Sequence, residues 1–503
     1  MHCVDGEDYS VFSILPPYNN LHAQLVRNGE LVTGGVTLTF ESLADSQGSI
    51  NTTSVGKTNF WSYAAALYGA DLAPDEGLTG LRTASRTPQA LTWNAEHRWY
   101  EAEGIPITPI DDAGQRNTYP LVKVVARDGA GNAVATASVV LPVSSEMNCV
   151  ACHGSDSVRD DARPTAGWVG DSDPEKDWKR NILRLHDEKQ AGNADFAAAL
   201  AERGHLPAGL EATAASGKPI LCAGCHASNA LPGTGIDGIA PLTRVLHASH
   251  ATVSDPANGR QLGAAGDRDA CYLCHPGSST QCLRGAMGDA VDAQGNAAMG
   301  CQDCHGGMAQ VGSASRQGWL DMPNCQSCHQ DGQRLTRAVD AAGVPLAASD
   351  TRFATQPDTP ASGISLYRFS TGHGGLQCEA CHGATHAIYP SSHASDNLLS
   401  IGVQGHAGTV AECAACHQDG VPLTTTGGPH GMHTTGATWV SRHEDAAERN
   451  PGQCRACHGD DYRGSPLGAV ATTRSYRAEG KTVRYAAGDE VTCYDCHNGP
   501  DGD

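Results

Sequence analysis

Cys149-Val150-Ala151-Cys152-His153 returns in outline eight more times along the chain. The repeats are Cys222-Ala223-Gly224-Cys225-His226, Cys271-Tyr272-Leu273-Cys274-His275, Cys301-Gln302-Asp303-Cys304-His305, Cys325-Gln326-Ser327-Cys328-His329, Cys378-Glu379-Ala380-Cys381-His382, Cys413-Ala414-Ala415-Cys416-His417, Cys454-Arg455-Ala456-Cys457-His458 and Cys493-Tyr494-Asp495-Cys496-His497. Paired thiols alone suit structural zinc or a redox dithiol. Neither explains why His follows at once every time. With 23 His in 503 residues, chance would place one at such a position about once in twenty.

Cys-x-x-Cys-His is the attachment pattern of c-type haem. Two thiols three residues apart reach the two vinyl groups of one porphyrin, and the next His turns its imidazole to the iron as proximal ligand. The sequence therefore implies nine covalently bound haems c. Their proximal histidines are His153, His226, His275, His305, His329, His382, His417, His458 and His497.

The motifs use eighteen of the twenty cysteines and leave Cys3 and Cys282. Haem attachment takes place outside the cytoplasm, where the two leftovers can form a disulfide or stay as separate thiols. No basic stretch followed by an apolar one opens the chain, and no run of about eighteen apolar residues occurs anywhere. The expectation is a mature, exported polypeptide, extracellular or periplasmic, with its signal removed and no transmembrane segment. A formal charge of -21, to which haem propionates add, argues against nucleic acid and anionic lipid as partners.

Residues 1–145 lack the motif and read as a haem-free β-rich domain. Val36-Thr37-Leu38-Thr39-Phe40-Glu41 alternates with the period of a half-buried strand. Leu121 to Ala126 and Val134 to Val143 flank Asp128-Gly129-Ala130-Gly131-Asn132 as a hairpin. Trp93, Trp99 and Tyr100 are candidate core residues. Phe60 to Tyr68 has helical composition. The expected architecture is β-sandwich-like.

Residues 146–503 change character: Gly, Ala, Asp, Ser and Pro dominate, and the whole chain has only six Phe. Side chains this small fill a large core poorly, whereas macrocycles supply apolar slabs for loops to wrap. Mostly coil with short α-helices around a nine-haem stack is the predicted fold. One helix is expected from Asp173 as N-cap with Pro174 in the first turn and a stripe of Trp178, Ile182 and Leu185. Another is expected from about Ala194 to Arg203, stopping at Gly204. The stretch Leu335 to Ser370 reads as a surface loop.

Fourteen histidines lie outside the motifs, more than nine irons need on their second face. His247 with His250, and His430 with His433, are spaced to serve two neighbouring irons. His186, His373, His386, His393, His406, His443 and His22 complete the candidate distal set; His97 and His205 read as solvated. Two imidazoles per iron give a saturated site suited to electron transfer rather than substrate binding.

The motif run with its His-x-x-His pairs resembles the extracellular multihaem c-type cytochromes of metal-reducing and syntrophic microbes, including those that polymerise into cytochrome filaments (nanowires). The resemblance covers roughly residues 147 to 503. It implies long-range electron transfer through mostly bis-histidine haems, as a conduit or a polymerising filament subunit, with other redox proteins or extracellular electron acceptors as partners. The β-rich start is similar to outer-surface decahaem cytochromes, although here one β-domain precedes nine haem motifs.

Two other classes compete. An oxidoreductase would keep one iron open, as the nitrite reductases do at a Cys-x-x-Cys-Lys haem; that motif is absent. A monomeric outer-surface terminal reductase of minerals, docked through its β-domain, is the other.

Overall fold

The computed structural model describes residues 2–228, 230–255, 257–264, 268–277, 279–314, 367–417, 428–429, 432–449, 451–465 and 468–500. The motif Cys325–His329, His430 and the greater part of the expected loop 335–370 lie outside the described residues, as does the side chain of Cys3 with its candidate pairing to Cys282. The chain forms two compact units. One comprises Met1–Ala23 with Gly35–Ser370, the other Gln24–Gly34 with Thr371–Asp503.

In the first unit the alternating stretch becomes strand β2 (Val36–Leu43), after β1 (Tyr18–Ala23). Its Leu38 and Phe40 are buried. Strands β3 (Gln89–Ala90), β4 (Thr92–Asn94), β5 (Trp99–Pro106), β6 (Leu121–Asp128) and β7 (Ala133–Val140) follow. They form two antiparallel sheets, ordered β7-β6-β2-β3 and β1-β5-β4. The β6–β7 hairpin turns where Asp128 Oδ1 accepts from the N–H groups of Ala130 and Asn132 at 2.9 Å each. Helix α1 (Phe60–Tyr68) matches the expected segment and ends at Gly69 in the left-handed region. Trp99 and Tyr100 are buried, and Trp93 packs edge-on against Tyr100.

The boundary expected at 145/146 falls inside this unit, because the N-terminal segment and the first motifs share a core. Phe12–Ser13 pairs in parallel with Ile220–Leu221, and Phe12 meets Trp178 edge-to-face at 5.5 Å. Val11, Phe12, Trp178, Leu183, Leu200, Leu210, Ala214 and Ile220 form one buried cluster, against which Cys149 and Cys222 pack. Two motifs are thereby anchored to a single apolar nucleus.

Three helices build that nucleus: α2 (Pro174–Lys189), α3 (Ala194–Glu202) and α4 (Leu210–Ala215). Asp173 caps α2 by accepting from Glu175 N–H at 3.0 Å, with Pro174 at the first position. Asp173→Ala is expected to lower stability by about 1 kcal/mol, readable as a small drop in thermal midpoint. The buried face of α2 is more polar than its predicted stripe: Asp177, Lys179 and Asn181 are buried beside Trp178 and Leu183. These polar groups are satisfied locally. Asn181 donates to His153 O at 2.8 Å and accepts from Val169 N–H at 2.7 Å.

In the second unit a hairpin of Val26–Arg27 and Glu30–Leu31 lies on the seventh motif. Gly29 N–H donates to Cys416 O at 2.8 Å. Gly29 has a φ of 81°, and a Cβ there would fall 2.2 Å from the His417 ring. Only glycine fits that approach. A second hairpin, Arg474–Ala478 with Lys481–Tyr485, packs near the last motif, where Tyr485 donates to Asp495 at 2.9 Å. Among the described residues no helix is long and apolar enough to cross a membrane.

Candidate metal centres

Each described motif winds into a short helical turn, and in five of them the His N–H bonds the first Cys carbonyl at 2.9–3.1 Å. Residues i, i+3 and i+4 of such a turn share a face. Both thiols and the imidazole therefore line one side. Glycine follows three of the motifs with positive φ, at Gly306, Gly383 and Gly459. At Gly459 an added Cβ would stand 2.4 Å from Gly464 O.

Among the described residues six motif histidines face a histidine from outside the motifs. The ring centres are 6.4 Å apart for His153–His250, 6.3 Å for His186–His226 and 6.0 Å for His247–His275. They are 6.0 Å apart for His373–His417, 6.2 Å for His433–His458 and 5.9 Å for His443–His497. An imidazole nitrogen binds a metal at about 2.0 Å and lies about 1.1 Å from its own ring centre, so two imidazoles trans to one ion sit about 6.2 Å apart. Every pair joins one motif His to one outside His. Chance packing would mix the two kinds.

Hydrogen bonds orient these rings. The Nδ1 atoms of His226, His247 and His250 lie 2.9, 2.6 and 2.7 Å from the carbonyl oxygens of Ala240, Thr243 and Leu246. Those of His433, His443, His458 and His497 lie 2.7–3.0 Å from Thr434, Val440, Val491 and Gly499 O. A carbonyl only accepts, so each Nδ1 must carry the proton, leaving the Nε2 lone pair for a metal. Burial, assisted by the facing histidine, pulls His153 and His186 down to about 4. Both are neutral donors at pH 7.

Zinc held by the motif thiols fits poorly. Among the described residues no motif brings two sulfurs and an imidazole nitrogen together; the only converging group of three His, Cys, Asp or Glu atoms is His22, Glu101 and Glu103. Burial pushes the thiols of Cys149 and Cys222 up to about 12. Zinc requires ionised sulfur, whereas a thioether carries no charge. The donor set and its spacing fit covalent haem.

Helix α5 (Leu242–His250) carries both His247 and His250 in its last turn, and the two face different motif histidines. Asn148 N–H also bonds Leu273 O at 3.0 Å, which joins the first and third motifs directly. In the second unit Val410 N–H, three residues before the seventh motif, donates to Cys381 O of the sixth at 2.8 Å. Trp439 stacks on His433 at 3.9 Å and lies 6.1 Å from His443, so one indole braces histidines facing the last two motifs.

The other candidates are placed differently. His406 contacts Ala407 O at 2.8 Å and Glu412 Oε1 at 3.4 Å. His22 bonds Glu103 at 2.7 Å and stacks on Trp99. His386 takes a positive φ of 70° shortly after His382, and Tyr389 N–H returns to His382 O at 2.7 Å, just before His393. His97, read as solvated, packs against the rings of Trp99 and Phe369, which also touch each other. The roles of Asn181, Trp439 and Gly29 were not read from the sequence. A Trp between two candidate histidines was the one available signal.

Comparison with protein-family models, with curated proteins and with solved structures found no match to this chain.

Proposed function

We propose that the chain is an exported nonahaem c-type cytochrome that conducts electrons between redox partners through bis-histidine sites. The observation that carries this reading is the set of six pairs, each a motif His facing an outside His across 5.9–6.4 Å. Bound haem would supply a reversible one-electron iron couple. The motif cysteines would hold the porphyrin, and the paired imidazoles would hold its iron and leave substrate no place on it. Carbonyl acceptors hold those imidazoles in one tautomer. The apolar cluster around Phe12 and Trp178 packs against the first cysteine of each of the first two motifs.

Adjacency supports a conduit rather than isolated sites. The first two motifs share a core, the first and third share α5, and the sixth is bonded to the backbone just before the seventh.

Intact-mass spectrometry and ferric spectra of the exported protein test the reading together. Nine added haems with low-spin signals are expected. Fewer than nine, or none, would overturn the haem assignment. A high-spin signal in the parent protein that shifts on adding nitrite or cyanide would instead favour an oxidoreductase with an open iron.

A further inference from the structure

His22, set aside by the haem pairs, stands in a second constellation. Strand register places it directly opposite Glu101, and Glu103 follows two residues along β5, on the same side of the strand. One ligand atom from each of His22, Glu101 and Glu103 lies within 4.8 Å of the others. We propose that these three residues bind a divalent transition-metal ion, of the kind that accepts imidazole nitrogen together with carboxylate oxygen.

The surroundings are arranged as an outer shell. Glu101 Oε2 accepts from Trp99 Nε1 at 2.7 Å and from Asn94 Nδ2 at 2.9 Å. Glu103 Oε2 accepts from Asn20 Nδ2 at 2.9 Å. Neutral donors thus hold one oxygen of each carboxylate, as in metal-binding carboxylates; the other oxygen of Glu103 lies 2.7 Å from His22 Nε2, a contact that a shared ion would replace. The donor to Glu101 is itself rigid, since Trp99 is only 2 % exposed. The same indole stacks on the His22 ring at 4.0 Å and 14°.

Charge points the same way. Among the described residues no Lys or Arg pairs with Glu101 or Glu103; the one partner is the His22 ring, 2.7 Å from Glu103. Two carboxylates share this site in a chain of charge -21, and a bound cation would relieve their repulsion. Ligand atoms around a tetrahedral ion lie about 3.3 Å apart, given bonds of about 2.0 Å. The present spacing reaches that value with small side-chain movements. The imidazole favours zinc-like ions over Ca2+ or Mg2+, which take oxygen ligands. With three protein ligands, water would complete the coordination.

The test uses the full haem-loaded chain and Zn2+ as probe. Calorimetry should show one high-affinity zinc that excess Ca2+ does not displace, weakened at least tenfold in His22→Gln and Glu101→Gln. Asn94→Ala, which removes an outer donor, should weaken it roughly 10- to 100-fold. Zinc affinity unchanged in all three variants would overturn the proposal. Should the variants fail to fold, X-ray absorption of the zinc-loaded parent decides: a nitrogen/oxygen shell with one imidazole supports the site, and sulfur or several imidazoles overturns it. The site does not depend on the haem reading, and haem content measured on the same samples separates the two.

Discussion

In the haem-loaded chain, His250→Ala is expected to turn one of the nine irons from low to high spin, and His247→Ala to turn a different one. His250 faces His153 and His247 faces His275, at 6.4 and 6.0 Å. Removing either would leave a five-coordinate iron able to bind cyanide. The double variant should show twice the high-spin intensity of each single one, because the two changes fall on separate sites. Electron paramagnetic resonance of the ferric protein reads the count. His22→Ala, whose ring lies on Glu103 and Trp99, should leave that spectrum unchanged. If the double variant matched either single variant, or if all remained low-spin, the ligand pairs drawn here would be wrong.

The second large effect concerns stability. Lys179 is fully buried, donates to Asp8 O, reaches Glu175 Oε1 at 3.4 Å and lies 5.3–6.0 Å from the rings of Tyr9, Phe12 and Trp178. Beside it Asp5 is also buried, its carboxyl held above the usual range by desolvation and brought partly back by the Lys179 charge. Lys179→Met should cost about 3 kcal/mol, because it removes the buried donor to Asp8 O together with the cation that faces Asp5 and Glu175.

The pH dependence has a definite sign. A carboxyl whose folded pKa exceeds its unfolded one favours folding below the unfolded value, 3.8 for Asp5. That contribution is lost as pH rises through the folded pKa. Losing Lys179 raises the folded pKa further, so the deficit of the variant should shrink as pH is lowered from 7 towards 4. Urea unfolding of parent and variant at both pH values measures it. Equal deficits at both would show that Asp5 is not the group responsible. Asp5→Asn combined with Lys179→Met should recover part of the loss.

What the sequence disclosed was local. The motifs, the hairpin around Asp128–Asn132, α1 and the cap at Asp173 depend on residues a few positions apart, where turn geometry, alternation and capping act directly. What it hid was long-range. The spacing of His247 and His250 suits two neighbouring irons, but nothing in it says that one ring meets His153 and the other His275. His22 and His406 have the same side-chain chemistry as the six histidines that found motif partners; only tertiary packing put carboxylates against them instead. Lys179 and Asn181 lie outside the predicted stripe of Trp178, Ile182 and Leu185, yet they are buried because Asp8 O, His153 O and three aromatic rings meet them there. The tie between the start of the chain and the second motif was hidden for a related reason: a two-residue strand at Phe12–Ser13 leaves no periodic signal, although it pairs with Ile220–Leu221.

The six pairings also carry a direction in time. In five of them the outside histidine precedes its motif in the chain: His186, His247, His373, His433 and His443 come before His226, His275, His417, His458 and His497. A polypeptide threaded N-terminus first across a membrane presents those imidazoles before the cysteines they accompany. Of these six, the first motif is the one that meets a downstream histidine, since His250 follows His153 by about a hundred residues. If the chain is exported in that direction, the site of the first motif would be the earliest begun and, of these six, among the later completed.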